Sequence, residues 1–78
     1  PYVSIAYKLP EAGQVKVEIV NLLGQNVKTL INDMQSPGSY VYKWNGKDAN
    51  GISVNSGMYF AIISRESERN ILKITYLK

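Results

Sequence analysis

Apolar and polar residues alternate along most of this chain, which predicts β-strands that bury one face in a core. The clearest example is the second alternating segment, where Val15, Val17 and Ile19 are separated by Lys16 and Glu18. Extended segments are expected at residues 3–9, 15–19, 27–31, 40–44, 52–54, 57–64 and 72–76. About seven short strands without helical periodicity predict an all-β fold, a small antiparallel β-sandwich.

The segment at residues 57–64 departs from this alternation, because its residues are apolar on both parities. Met58, Phe60 and Ile62 are expected on one face of the strand, and Tyr59, Ala61 and Ile63 on the other. Such a strand is expected to be covered on both faces. Neighbouring elements or a partner should therefore shield the side that faces away from the core.

Turn residues separate the predicted strands. Ser36-Pro37-Gly38 is one turn, and two Asn-Gly pairs, at residues 45–46 and 50–51, permit the positive φ angles of tight turns. Trp44 precedes the first pair and is expected on the same face of its strand as Tyr40 and Tyr42. We therefore expect Trp44 to be a core residue at the end of its strand.

Length and composition indicate one folded domain over residues 1–78. The chain is 45% hydrophobic and rich in Tyr, Val and Ile, so it is too apolar for a disordered tail. Its net charge of +3 comes from basic residues spread along the chain, which argues against nucleic-acid binding. No apolar run reaches the ~18 residues of a membrane span. Because it begins with Pro1, the chain is interpreted as a fragment of a larger protein.

Catalytic chemistry finds little support in the residue types. The chain contains no His and no Cys, so it cannot assemble a Ser-His-Asp or Cys-His nucleophile. The carboxylates are Glu11, Glu18, Asp33, Asp48, Glu66 and Glu68. A glycosidase-type pair would need two of them facing each other across a cleft, for which a sandwich of this size has little room. We predict no enzymatic activity and no cofactor.

The segment Asp48-Ala49-Asn50-Gly51 resembles half of a calcium-binding loop, but a metal is not predicted. Gly46 occupies the position of the first acidic ligand, and Gly57 that of the closing glutamate. A carboxylate that accepts N–H bonds within its own turn explains the same residues. Asp48, Asn50 and Gly51 are therefore assigned to a turn.

Aromatic residues raise a second alternative, a carbohydrate-binding surface. Tyr2, Tyr40, Tyr42 and Tyr76 could present flat rings, but they alternate with polar neighbours as core residues do. Burial is the favoured interpretation for most of them.

Five segments together resemble a known family, the C-terminal sorting domains of type IX secretion, which are related to the immunoglobulin-like domain of flagellar hook-capping proteins. They are Tyr7-Lys8-Leu9-Pro10-Glu11-Ala12-Gly13, Asn21-Leu22-Leu23-Gly24-Gln25, Trp44-Asn45-Gly46-Lys47-Asp48-Ala49-Asn50-Gly51, Ser56-Gly57-Met58-Tyr59-Phe60 and Lys73-Ile74-Thr75-Tyr76-Leu77-Lys78. Residues 55–61 also resemble the tyrosine corner of immunoglobulin-like sandwiches. That resemblance implies a buried Tyr59 with its hydroxyl bonded to nearby backbone, beside a Trp44 that fills the space between the sheets.

The sorting-domain resemblance implies a non-catalytic secretion and cell-surface anchoring signal. Its expected partners are the type IX translocon and sortase, with a cargo domain upstream. The implied recognition residues are Lys73, Thr75 and Lys78 in and after the last strand. The implied location is secreted or at the cell surface, with the isolated domain a monomer or weak dimer. Two alternatives remain open: a structural immunoglobulin-like module of a flagellar hook-capping protein, or an accessory, possibly carbohydrate-binding, module of a secreted polysaccharide-degrading enzyme.

Overall fold

Six β-strands form the whole architecture of the computed structural model, which describes residues 1–78. They are β1 (Val3–Leu9), β2 (Gly13–Val20), β3 (Asn26–Gln35), β4 (Gly38–Trp44), β5 (Gly57–Arg65) and β6 (Glu68–Tyr76). β1 and β4 form a two-stranded sheet, and the other four strands form a second sheet in the order β3-β2-β5-β6. All neighbouring strands are antiparallel. The predicted all-β antiparallel fold is confirmed, and the chain forms no helix that could cross a membrane.

The seventh predicted strand, at residues 52–54, does not form. This segment makes a single β-bridge, between Lys47 and Ser53. The Asp48 carboxylate binds the N–H of Ile52 and holds that residue in the preceding turn. Val54 packs against the core, but Ile52 is 63% exposed, so burial does not hold the whole segment in a sheet. The expected strand is therefore part of a loop.

The core lies between the two sheets and is filled by the alternating apolar residues. Val15, Val17 and Ile19 of β2 are fully buried, and Ile5 and Leu9 of β1 face them from the smaller sheet. The core cluster as a whole comprises Ile5, Leu9, Val15, Val17, Ile19, Trp44, Tyr59, Ala61, Ile63, Ile74 and Tyr76. Each strand except β3 contributes to this cluster, so the core depends on both sheets.

β5 is a central strand of the larger sheet, which explains its two apolar faces. Its inner residues Tyr59, Ala61 and Ile63 are buried in the core. On the outer face the register places Phe60 between Val20 of β2 and Lys73 of β6. The predicted covering of both faces of β5 is complete on the face that points into the core. On the outside it is partial, because Phe60 remains half-buried.

Candidate functional site

Three aromatic residues meet at one end of the sandwich. The ring centroid of Trp44 lies 5.1 Å from that of Tyr59 and 5.2 Å from that of Tyr76. Trp44 is fully buried, and Tyr59 and Tyr76 are nearly so. We call these three residues the tryptophan cluster. Its edge-on and tilted contacts are the arrangement that aromatic rings prefer.

Each polar atom of the tryptophan cluster is directed at a backbone carbonyl. Trp44 Nε1 donates to the carbonyl of Lys47 at 2.9 Å, and the Tyr59 hydroxyl donates to that of Asn55 at 2.7 Å. The latter bond is the one that a tyrosine corner makes. Tyr76 makes a longer bond, 3.4 Å, to the carbonyl of Asn45. The cluster therefore fixes both the 45–47 turn and the approach to β5.

Gly46 allows the turn to pass directly over the Tyr76 ring. A Cβ at this position would lie 1.9 Å from Tyr76 Cζ, and the residue has a φ of 74°. Both the close approach and the positive φ favour glycine. Gly51 also has a positive φ, 79°, but a Cβ there would have no other atom within 4 Å.

Asp48 organises the loop between β4 and β5. One carboxylate oxygen accepts the N–H of Asn50 at 2.9 Å and that of Ile52 at 3.0 Å. The backbone N–H of Gly51 also donates to the carbonyl of Asp48. No group of three His, Cys, Asp or Glu side chains in the chain lies close enough to hold a metal ion. The described contacts of Asp48 are those of a turn residue.

A second aromatic group lies between β1 and β4 and reaches β3. Tyr7 stacks on Tyr40 and Tyr42, with ring centroids 5.5 Å and 6.1 Å away. Its hydroxyl donates to Gln35 Oε1 at 2.6 Å, and Gln35 Nε2 donates to the Tyr42 hydroxyl, also at 2.6 Å. We call these four residues the tyrosine stack. Burial, with a contribution from Tyr42, raises the pKa of Tyr7 to about 12.

The tyrosines proposed as a carbohydrate surface do not share one exposed strip. Tyr76 is buried, and Tyr40 and Tyr42 stack on Tyr7 between the sheets. Tyr2 is 58% exposed, with the Lys43 ammonium 4.5 Å from its ring centroid. One exposed ring is too little to form a flat aromatic binding surface.

The residues implied in recognition lie at the edge of the larger sheet. Lys73 and Thr75 are exposed on the outer face of β6, opposite Phe60 and Met58 of β5. Lys78 follows the strand, and its backbone N–H donates to Ser56 Oγ at 3.1 Å. The structure therefore brings Lys73 and Thr75 together on one surface and leaves Lys78 beyond the end of the sheet.

An apolar groove adjoins this surface on the outer face of the larger sheet. It measures about 280 Å³ and is lined by Val20, Asn21, Leu22, Gly24, Phe60, Ile62 and Ile71. Leu22 and Ile71 at its rim are 65% and 60% exposed. Neither the groove nor the bridging role of Gln35 is among the features predicted from the sequence. The sequence feature that could have indicated the groove is the set of alternate apolar residues Met58, Phe60 and Ile62 on the outer face of β5.

Comparison with known proteins yields one family and a set of similar structures. A family model described as the FlgD Ig-like domain matches residues 2–68. FlgD from P. aeruginosa is similar with a TM-score of 0.67 and 26% identity, covering 94% of this chain and 58% of that one. FlgD from Xanthomonas campestris, whose structure is described in relation to the hook capping essential for flagellar assembly, has a TM-score of 0.71 and 25% identity. That similarity covers 95% of this chain and 54% of the other. No curated protein sequence matches significantly.

These findings confirm the immunoglobulin-like sandwich and its relation to hook-capping proteins, and they overturn the type IX assignment. The family that matches is the FlgD Ig-like domain, and the two structures compared are FlgD proteins. The expected partners, a type IX translocon, a sortase and an upstream cargo, were therefore wrong. The segments that carried the resemblance contain residues that build the sandwich of this chain, such as Trp44, Gly46 and Tyr59, and such residues indicate the fold rather than the partner.

Proposed function

We propose, because the chain belongs to the FlgD Ig-like domain family, that it is a structural and non-catalytic module of a flagellar hook-capping protein. The observation that carries this proposal is the family match over residues 2–68. The similarity to two FlgD structures over nearly the whole chain supports it. The chain spans a little over half the length of each of those structures, so the activity of the whole protein is part of the proposal.

The geometry suits a rigid building block. Antiparallel pairing joins the four strands of the larger sheet, and the tryptophan cluster ties two loops to the core. No buried side-chain nitrogen or oxygen lacks a hydrogen-bond partner. Satisfied polar groups and a close-packed interior give a domain low compressibility. Such a domain can hold contacting surfaces at a fixed distance, along a body about 35 Å in its longest dimension.

The proposal includes neither catalysis nor a cofactor. The absence of His and Cys from the sequence removes the usual nucleophile-base pairs. We further propose that residues 1–78 act as a single domain within a longer chain. A part of a hook cap would work outside the cell body, so the proposed location is the cell surface.

The test removes the module from its parent protein in the bacterium that carries the gene. Residues 1–78 are replaced by a flexible Gly/Ser linker, and hooks are examined by electron microscopy alongside swimming assays. We expect loss of completed hooks and of motility. Trp44→Ala, which is expected to unfold the module in place, should reproduce this loss.

Ile52→Ser serves as the matched control, because it changes an apolar residue that is exposed in a loop. That strain should assemble hooks and swim normally. Normal hooks in the linker strain, with the parent protein present at its usual level, would contradict the proposed function.

A further inference from the structure

The outer face of the larger sheet carries a contiguous apolar surface. Val20 and Ile62 are buried and form its floor, and the more accessible members are Phe60, Ile71 and Leu22, which follows β2. Single exposed apolar residues are normal on a protein surface. A continuous apolar groove bordered by polar residues is instead typical of an interaction site.

The size of the groove indicates what it can accommodate. Its volume, about 280 Å³, lies just below the ~300–1,000 Å³ of sites that enclose small molecules. It is also open along the sheet surface. A groove of this kind fits one or two large side chains of a protein segment rather than an enclosed cofactor.

Positive charge borders the groove on β6. Arg69 and Lys73 flank Ile71 at two residues on either side, so all three project from the same face of the strand. Neither Arg69 nor Lys73 takes part in an ion pair. Both are exposed and free to meet a carboxylate.

Negative charge near the groove is already compensated. Glu18 of β2 lies opposite Ile62 of β5, forms an ion pair with the Lys16 ammonium at 3.6 Å and accepts a hydrogen bond from the Asn26 amide at 2.8 Å. The uncompensated charge around the groove is therefore positive and lies on β6.

We propose that this surface binds a partner protein through an acidic segment with apolar side chains. Apolar side chains would occupy the groove beside Phe60 and Ile71, and flanking carboxylates would meet Arg69 and Lys73. Complementary charge of this kind directs association and excludes partners of the wrong sign. The inference concerns the surface itself and holds whether or not the module belongs to a hook cap.

A second copy of the chain is a poorer occupant. In a two-fold contact the same patch meets itself, so Arg69 and Lys73 of one copy would approach those of the other. Like charges brought together in an interface oppose association.

The test is a titration of the isotope-labelled 78-residue chain, followed by nuclear magnetic resonance, with three peptides of equal length. The first alternates Leu with Glu, the second alternates Leu with Lys, and the third alternates Ser with Glu. The acidic apolar peptide should cause saturable shifts at Leu22, Phe60 and Ile71. The other two should bind at least about tenfold more weakly, because each lacks one of the two complementary features.

Two variants then assign the binding to the groove. Ile71→Ser should weaken binding of the acidic apolar peptide at least about fivefold. Arg69→Glu with Lys73→Glu should weaken it at least about tenfold and should strengthen binding of the Leu-Lys peptide. All three residues are exposed, so the melting temperature should change little.

Matched controls change the same chemistry elsewhere. Lys8→Glu with Lys43→Glu reverses two charges on the outer face of the smaller sheet, and Ile52→Ser removes an exposed isoleucine from a loop. Neither should alter binding by more than about twofold.

Results of three kinds would overturn the proposal. One is the lack of saturable shifts with the acidic apolar peptide at millimolar concentration. Another is binding that is equal for the Glu and Lys peptides or that survives Ile71→Ser unchanged. The third is a concentration-dependent dimer in sedimentation that Ile71→Ser abolishes, which would assign the groove to a second copy.

Discussion

The tryptophan cluster and the tyrosine stack are both aromatic groups between the same two sheets, yet they are held in different ways. In the tryptophan cluster the polar atoms donate to backbone carbonyls, two of them only three or four residues away. In the tyrosine stack the Tyr40 hydroxyl also donates to a backbone carbonyl, that of Ser36, but the Tyr7 and Tyr42 hydroxyls are joined through one side chain, Gln35 of β3. Trp44 is fully buried, whereas Tyr7, Tyr40 and Tyr42 are partly exposed.

This difference separates two sources of stability. A cluster anchored to nearby backbone fixes the loops around it, so its loss removes core contacts and loop order together. A stack anchored by a side chain links two sheets through groups that can ionise and that water can reach. We therefore expect the tryptophan cluster to carry most of the folding free energy, and the tyrosine stack to make that free energy depend on pH.

Trp44→Ala should have the largest effect. Removing a fully buried aromatic side chain costs about 3–5 kcal/mol, comparable to the whole stability of a small domain without disulfides. The variant should be largely unfolded by circular dichroism. Tyr40→Ala is the matched change in the tyrosine stack and should leave a cooperative urea transition. Similar losses for the two variants would remove the distinction between the clusters.

Gly46→Ala tests how tightly the turn is held against the tryptophan cluster. The new Cβ would collide with the Tyr76 ring at a backbone conformation that disfavours L-residues. Overpacking and backbone strain together should cost about 2–5 kcal/mol in the free energy of unfolding.

Gly51→Ala is the control for that prediction, because its φ is similar but no atom crowds the new Cβ. Gly51→Ala should lower the free energy of unfolding only through backbone strain, by about 1–2 kcal/mol. Equal losses for the two alanine variants in urea denaturation would show that Tyr76 moves aside and that the close approach is unimportant.

The alternation of the sequence predicts β1, β2 and β4 well, because each of these strands has one face in the core. Residues 52–54 also alternate, but local hydrogen bonds between Ile52 and Asp48 override that weak preference. The extension of β3 to Gln35 was missed because residues 32–34 are exposed and do not alternate between apolar and polar side chains. Pairing with β2, rather than burial, keeps this part of the strand extended.

The core residues of the candidate site are more predictable than its surface. Trp44 and Tyr59 stand in turn-bordered motifs whose spacing depends on the fold. The groove requires Leu22 of a turn and Ile71 of the last strand to approach β5, and only the sheet order brings them together. The partner could not be predicted from motifs that describe the core, since one fold can serve many unrelated functions.

Tyr7→Phe should have the smallest effect at neutral pH and the clearest dependence on pH. Loss of the bond to Gln35 should cost about 1 kcal/mol. Burial raises the pKa of Tyr7 in the folded protein to about 12, above the ~10 of an unfolded chain. The folded state therefore holds this proton more tightly, and its contribution is fully present below about pH 10 and lost as the pH rises through about 12.

The free energy of unfolding should thus fall between about pH 10 and 12 in the parent, and Tyr7→Phe should reduce that fall. Tyr59→Phe is the matched control, because it also removes one hydroxyl bond, at 2.7 Å to Asn55, but keeps Tyr7. Both variants are compared by urea denaturation across this pH range. The contributions of the ionisable groups that they share then cancel in the comparison. If Tyr59→Phe flattens the pH profile and Tyr7→Phe does not, the tyrosine stack is not the source of the pH dependence, and the two clusters differ in burial alone.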